Sequence, residues 1–370
     1  MSEVKENFTN DPIRVMIVDD SAVIRNLLTR ALSSDPEITI ITTAANGSLA
    51  LNYVKKYDIE VLILDIEMPE MDGLTALPKI LETSPNIKIV MVSSLTVKNA
   101  PVAIKALSLG ASDYIEKPSA ITSGNNVEFF NLELINKVKS LGHSSRVAAK
   151  AREISSSSLN DNNLEINLRN NKMESAPEAI AISCSTGGPQ ALQVFFSNLK
   201  KSKDIIKVPI FITQHMPALF TSYLADHIKE ASGLASKEAS DGEIVNPSVI
   251  YVAPGDYHMI INKADRGNII RLTKDNPENY CRPSADPMLR SLAKIYKSRL
   301  LSVVLSGMGV DGLQGCHAVV DAGGYVAVQD KVTSVVWGMP GAVAKAGLAS
   351  AMLPIANVAD FVVQLMVNRN

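Results

Sequence analysis

Cysteine is scarce in this chain: Cys184, Cys281 and Cys316 are too few and too scattered for a disulfide framework or a zinc knuckle. A reducing cytoplasm suits them. An excess of either charge is also missing, since 36 basic residues stand against 38 acidic ones for a formal net charge of -2. That balance gives no electrostatic case for nucleic acid or an anionic membrane as a main partner. No apolar run approaches the roughly 20 residues of a membrane span, and the charged, polar N-terminus has no apolar signal core. Repeats of solenoid length are absent as well. What is present is length: 370 residues exceed the size at which one core usually keeps growing. The expectation is about two domains in a soluble, cytoplasmic protein.

From residue 13 to about 141, apolar runs at 13–18, 38–42, 61–64, 87–92 and 112–115 alternate with helical patterns. Five such units predict a parallel, doubly wound α/β sheet, closed by a last helix over 127–141. The composition then changes, with four serines at 155–158, Asn160-Asp161-Asn162-Asn163 and Asn170-Asn171 between His143 and Glu178. So few large apolar residues cannot support a core, which marks a linker, with a helical pattern at its start over 148–151. Alternation resumes at Ala179, with strands expected at 179–182, 208–213, 249–252, 301–305 and 325–328. The expected division is therefore a domain over 1–141, a linker over 142–177 and a second doubly wound α/β domain over 178–370.

Acids gather at the strand ends of the first half. Asp19 and Asp20 follow the first strand, and Asp65 ends the third in Leu-Asp-Ile-Glu-Met-Pro-Glu-Met-Asp-Gly. Ligands of doubly wound sheets bind outside the carboxyl ends of the strands, so these carboxylates would converge on a hard cation of the magnesium kind. Ser93 adds a hydroxyl at the fourth strand end and Lys117 a cation at the fifth, a set able to hold a phosphoryl group on Asp65. Asp20-Ser21 taken alone would be an ordinary helix N-cap. On these residues, 13–141 resembles a response-regulator receiver domain, the acceptor of phosphate from a histidine kinase. The resemblance implies a flavodoxin-like fold, Asp65 as phospho-acceptor, and Mg2+ held by Asp19, Asp20, Asp65 and the backbone carbonyl of Glu67. It further implies Ser93 and Tyr114 as switch positions and Lys117 as phosphate partner. Ser94 is an adjacent hydroxyl, only the register of the strand decides between the two, and Ser93 is the choice.

In the second half, Cys184-Ser185-Thr186-Gly187-Gly188 lies between a strand pattern and a helical one. Such a corner lifts a serine hydroxyl clear of the sheet and aims helix N–H groups at an anion, as a nucleophile or a plain anion-binding turn would require. A nucleophile needs a base and an acid to orient it. His143, His227 and His317 fall at the linker boundary or inside helical stretches; His215 ends a strand in Thr-Gln-His-Met-Pro and would share the serine's rim. His258 in Ala-Pro-Gly-Asp-Tyr-His-Met is the second choice, at the start of a new strand. Asp311 in Leu-Ser-Gly-Met-Gly-Val-Asp-Gly follows a strand, and the same loop offers the Met308 backbone N–H to an oxyanion. Asp241, Asp256, Asp286 and Asp330 are other loop acids, with Asp286-Pro287 reading as an N-cap followed by proline.

Six separated motifs carry a second resemblance: Ser-Thr-Gly-Gly at 185–188, Gln-His-Met-Pro at 214–217, Tyr-Val-Ala-Pro-Gly-Asp at 251–256, Arg-Pro-Ser-Ala-Asp at 282–286, Ser-Gly-Met-Gly-Val-Asp-Gly at 306–312 and Trp-Gly-Met-Pro-Gly at 337–341. In order, they are similar to the catalytic domain of the chemotaxis protein-glutamate methylesterases, the CheB family. The resemblance implies a Rossmann-like esterase domain behind a receiver and a linker. It implies hydrolysis of glutamate methyl esters, with glutamine deamidation, on methylated chemoreceptors. It assigns Ser185 as nucleophile, His215 as base, Asp311 as orienting acid and Met308 as oxyanion donor, with no cofactor for the ester chemistry. Ser183-Cys184 departs from the glycine-alanine usual before the nucleophile. Cys184 thereby becomes a rival thiol nucleophile, although a residue before the corner should point back into the sheet.

Overall fold

A computed structural model describes residues 11–93, 99–117, 125–154 and 166–367. The chain forms two compact units, 1–159 and 160–370. In the first, β1 (Ile13–Val18), α1 (Ala22–Leu32), β2 (Ile38–Ala44), α2 (Gly47–Lys56), β3 (Val61–Asp65), α3 (Gly73–Thr83), β4 (Lys88–Ser93), α4 (Asn99–Ser108) and β5 (Asp113–Glu116) alternate before α5 (Asn125–Ile154). The strands pair in parallel in the order β2-β1-β3-β4-β5. β3 is buried along its length, as a central parallel strand covered on both faces must be. The order reverses between β1 and β3, which opens the ligand crevice of this topology at their carboxyl ends. Asp72 caps α3 by accepting from the Thr75 N–H at 2.7 Å. Gly73 lets that helix start against the end of β3: a Cβ there would lie 2.0 Å from the Asp65 carbonyl oxygen.

Helix α5 runs through the boundary expected at residue 141 and includes the helical pattern at 148–151. The cause is a set of contacts beyond that point. Ser145 Oγ donates to the Asn86 carbonyl at 2.9 Å, and Arg146 Nε reaches Glu60 at 2.5 Å while Nη2 donates to the Asp11 and Pro12 carbonyls. The serine run and Asn160-Asp161-Asn162-Asn163 lie outside the described residues.

The second unit is built from β6 (Ala179–Cys184), α6 (Gly188–Leu199), β7 (Ile210–Gln214), α7 (Ala218–Ser232), β8 (Ala235–Glu238) and β9 (Val249–Val252), followed by β10 (His258–Ala264) and β11 (Gly267–Thr273). It ends with α8 (Ala285–Tyr296), β12 (Leu300–Val304), α9 (Leu313–Asp321), β13 (Tyr325–Gln329), α10 (Met339–Lys345), β14 (Ala351–Leu353) and α11 (Ile355–Val367). Seven strands form one parallel sheet, β14-β13-β12-β6-β7-β9-β8, and β10-β11 form a separate antiparallel hairpin. Central strands β12, β6 and β7 are wholly buried, and Phe211 stacks on Tyr251 with centroids 5.7 Å apart. Edge strands β8 and β14 were not anticipated. One is the polar run Ala-Ser-Lys-Glu and the other has three residues, so neither carries an apolar period.

The Arg146–Glu60 contact ties the part of α5 beyond residue 141 to the loop before β3, with side chains 13% and 6% exposed. Burial opposes charge on Glu60, but the Arg146 hydrogen bond, with help from Arg14, outweighs it and holds the carboxyl below its ordinary 4.5. Arg146→Ala should cost roughly 3 kcal/mol in denaturant unfolding at pH 7, because one partner is left half-compensated. A carboxyl depressed in the folded state contributes above its unfolded value, so the deficit should shrink as pH falls below 4.5. A deficit of equal size at pH 3 and pH 7 would contradict this account.

Candidate active site

Two rims carry chemistry. At the crevice of the first unit, Asp19, Asp20 and Asp65 each present an oxygen within 4.8 Å of the others. Lys117 Nζ lies 2.8 Å from Asp19 Oδ2 and 2.8 Å from Asp65 Oδ1. Burial, with the nearby Asp19 charge, pushes the Asp65 carboxyl up to about 6 against the pull of Lys117. Among the described residues, Lys117 is the cation paired with these carboxylates, and it undercompensates them. Asp19 Oδ2 is buried without a well-aligned hydrogen bond despite its closeness to Lys117, and a cavity of about 450 Å³ beside the cluster is lined by Asp20, Glu67, Met68 and Val102. Oxygen donors short of positive charge suit a hard divalent cation. Ser93 ends β4 on the same rim, with the Lys117 N–H on its carbonyl at 2.9 Å. Ser94 lies outside the described residues. Tyr114 sits further down the sheet, paired in register with Met91, its ring 5.5 Å from Lys137 Nζ and 7% exposed. Burial holds its hydroxyl well above its ordinary pKa.

On the second rim, pairing of β6 with β7 ends at Cys184 and Gln214, and the His215 N–H donates to the Cys184 carbonyl at 3.2 Å. Ser185 and His215 therefore leave neighbouring strand ends together. Buried Gln214 locks them: its Nε2 donates to the Ser185 carbonyl at 3.0 Å and the His215 carbonyl at 3.2 Å. The Ser185 N–H bonds the Ser306 carbonyl at 3.0 Å, which draws in the loop bearing Met308. Gly307 makes that approach possible, since a Cβ there would lie 3.1 Å from Ser185 Cβ and 2.3 Å from Met339 Sδ.

His215 Nε2 meets Asp311 Oδ2 at 2.6 Å. Asp311 is 1% exposed and heavily solvated by protein: Ser284 Oγ at 2.6 Å, Asn279 Nδ2 at 2.9 Å and the Gly312 N–H at 2.9 Å donate to Oδ1, and the Ala285 N–H at 2.6 Å to Oδ2. Burial alone would raise its carboxyl, but His215 and these donors pull it down to about 2. Burial would lower the His215 ring, yet Asp311, with Cys281, raises it to about 10. Its other nitrogen, Nδ1, faces Cys281 Sγ at 3.4 Å.

The alternatives separate on geometry. His258 does begin β10, but it is 1% exposed with Nδ1 accepting the Ser284 N–H and Nε2 against the Asn276 carbonyl. Both nitrogens are occupied. Cys184 is fully buried, its Sγ turned back 3.8 Å from the Thr213 carbonyl, and burial holds its thiol far above the ordinary value. Asp286 is not the N-cap of α8; Ser284 is, and Asp286 sits in the first turn accepting the Gly315 N–H at 2.6 Å. The reason is that Ser284 already has extended backbone, so the helix starts one residue before Asp286. Sequence reasoning missed Asn279, Cys281 and the donor role of Ser284. Only Ser284 had a signal, its place in Arg-Pro-Ser-Ala-Asp.

A response regulator receiver domain model matches residues 15–124, and a CheB methylesterase model matches 180–362. A Rhodospirillum centenum protein named protein-glutamate methylesterase/protein-glutamine glutaminase of group 2 operon is 46% identical over 97% of this chain and 95% of its own length. A protein-glutamate methylesterase/protein-glutamine glutaminase of Azospirillum brasilense is 46% identical over 95% of this chain and 92% of its own. Joined in this order and over nearly its whole length, the two matched domains show that the chain belongs to the receiver-bearing CheB methylesterase family.

Proposed function

We propose that this protein is a cytoplasmic, phosphorylation-activated hydrolase that removes methyl groups from glutamate γ-methyl esters of chemoreceptors and deamidates receptor glutamines. The observation that carries the reading is the His215–Asp311 pair on the strand end beside Ser185. Asp311 holds Nε2, so Nδ1 is the nitrogen left to take the Ser185 proton as Oγ attacks the ester carbonyl. The Met308 N–H stabilises the oxyanion, methanol leaves with the proton from His215, and water then releases glutamate by the same steps. A glutamine substrate loses ammonia instead. We assign 1–141 to the receiver, 142–177 to a linker that begins as the continuation of α5 packed on the receiver, and 178–370 to the catalytic domain.

In the receiver, Asp65 takes phosphate from a histidine kinase, and Lys117 steadies the phosphoryl oxygens. Asp19, Asp20, Asp65 and the Glu67 carbonyl would hold Mg2+, which offsets the charge of the entering phosphate when bound. Ser93 and Tyr114 respond to the new charge, and the unphosphorylated receiver restrains the esterase.

Release of labelled methanol from methylated receptor membranes should fall at least about 1,000-fold in Ser185→Ala. Full activity in that variant with loss in Cys184→Ala would sink the assignment. A raised imidazole is protonated until pH climbs toward about 10, so the acid limb of the kcat/KM profile should lie above the ordinary 6.5. Asp311→Asn should move that limb to lower pH while cutting kcat about 10,000-fold; an unmoved limb would exclude His215 as the titrating base. A small phosphodonor should stimulate the natural chain only with Mg2+ present and should leave Asp65→Asn unstimulated. Stimulation that survives chelation, or survives in Asp65→Asn, would remove the receiver from the account.

A further inference from the structure

The ring nitrogen that Asp311 leaves free does not face open solvent. It faces Cys281, whose Sγ lies 3.4 Å from His215 Nδ1. The loop holds the thiol in place: Asn279 and Tyr280 both take left-handed backbone, with φ of 53° and 62°, and the Cys281 N–H closes on the Glu278 carbonyl at 2.9 Å. Asn279 Nδ2 pins the loop again by sharing Asp286 and Asp311, at 2.9 Å each. Access is open on this side, since Tyr280 is 92% exposed and Cys281 itself is half-buried. Cys184 and Cys316 are fully buried, and burial pushes both thiols up, that of Cys316 to about 12. Two thiols are thus shut in, and the third adjoins a base.

Thiol, imidazole and buried carboxylate in this sequence are the arrangement that converts a thiol into a nucleophile. We propose that Cys281 is a modification site for peroxides and small electrophiles, activated by His215 and Asp311, and that its oxidation stops ester hydrolysis. The second part rests on His215 as the esterase base. Where His215 is neutral, the Sγ proton moves to its Nδ1, and the thiolate attacks one oxygen of the peroxide. An S–O bond forms as the O–O bond breaks, and the departing hydroxide takes the proton from Nδ1 to become water. Sulfur undergoes a two-electron oxidation to sulfenic acid while the peroxide is reduced. The added oxygen then occupies the position at Nδ1 that the Ser185 hydroxyl needs. A small dithiol reverses the step by becoming a disulfide, which returns the thiol and releases water.

The test uses the full chain and limiting iodoacetamide, with each cysteine followed by mass spectrometry. Cys281 should be alkylated well ahead of Cys184 and Cys316, and about tenfold more slowly in His215→Gln. No esterase assay enters that measurement, so its outcome is independent of the functional reading. Hydrogen peroxide should then cut methanol release about tenfold or more in the natural chain, with recovery in dithiothreitol. In Cys281→Ser the ratio of treated to untreated activity should be unchanged by peroxide. Equal alkylation rates in the natural chain and folded His215→Gln overturn the proposal, as does an equal fractional loss in Cys281→Ser. Should His215→Gln unfold, which early labelling of Cys184 would reveal, the Cys281→Ser ratio decides alone.

Discussion

The second unit is organised around one buried charge. Asp311 sits at the end of a loop with almost no access to water, and an ionised carboxylate there is tolerable only if protein groups replace its hydration. Those groups come from four places: the end of β7 through His215, the left-handed loop through Asn279, the start of α8 through Ser284 and Ala285, and the Gly312 N–H. Satisfying the charge therefore fixes the mutual positions of segments far apart in sequence. The same contacts that keep the carboxylate ionised aim the imidazole, so stability and chemistry share one set of bonds.

The first unit treats its acids in the opposite way. Asp65 is nearly as buried as Asp311, but it has the Asp19 and Asp20 carboxylates beside it and, among the described residues, Lys117 alone paired with it. One carboxyl is consequently pulled far down and the other pushed up to about 6. A carboxylate supplied with every donor it can use is a fixed structural charge. One left short of positive partners stays sensitive to any cation brought near it, and that contrast sets the electrostatics of the two rims apart.

Much of this was legible in sequence because parallel strands buried on both faces are continuous apolar runs, and their ends are marked by Asp19, Asp65, Ser185 and His215. The strands expected at 13–18 and 249–252 are β1 and β9 themselves, and the other expected strands overlap observed ones with ends shifted by one or two residues. Edge strands escaped because β8 is polar and β14 short. The reach of α5 escaped because Arg146 acts through a charge pair with Glu60, and charge pairs leave no periodicity. Asn279 and Cys281 were invisible for a related reason. Their positions depend on two consecutive left-handed residues, neither of them glycine, which no local pattern announced.

Gln214 bears on how the rim tolerates motion. One buried amide grips the carbonyls of Ser185 and His215, each at the end of a different strand. Without that amide, the two strand ends would be joined at this point by the His215 N–H to Cys184 carbonyl bond and would be freer to part. With both backbones yoked to a single planar group, a change in the spacing of Ser185 and His215 must break or stretch one of its two bonds.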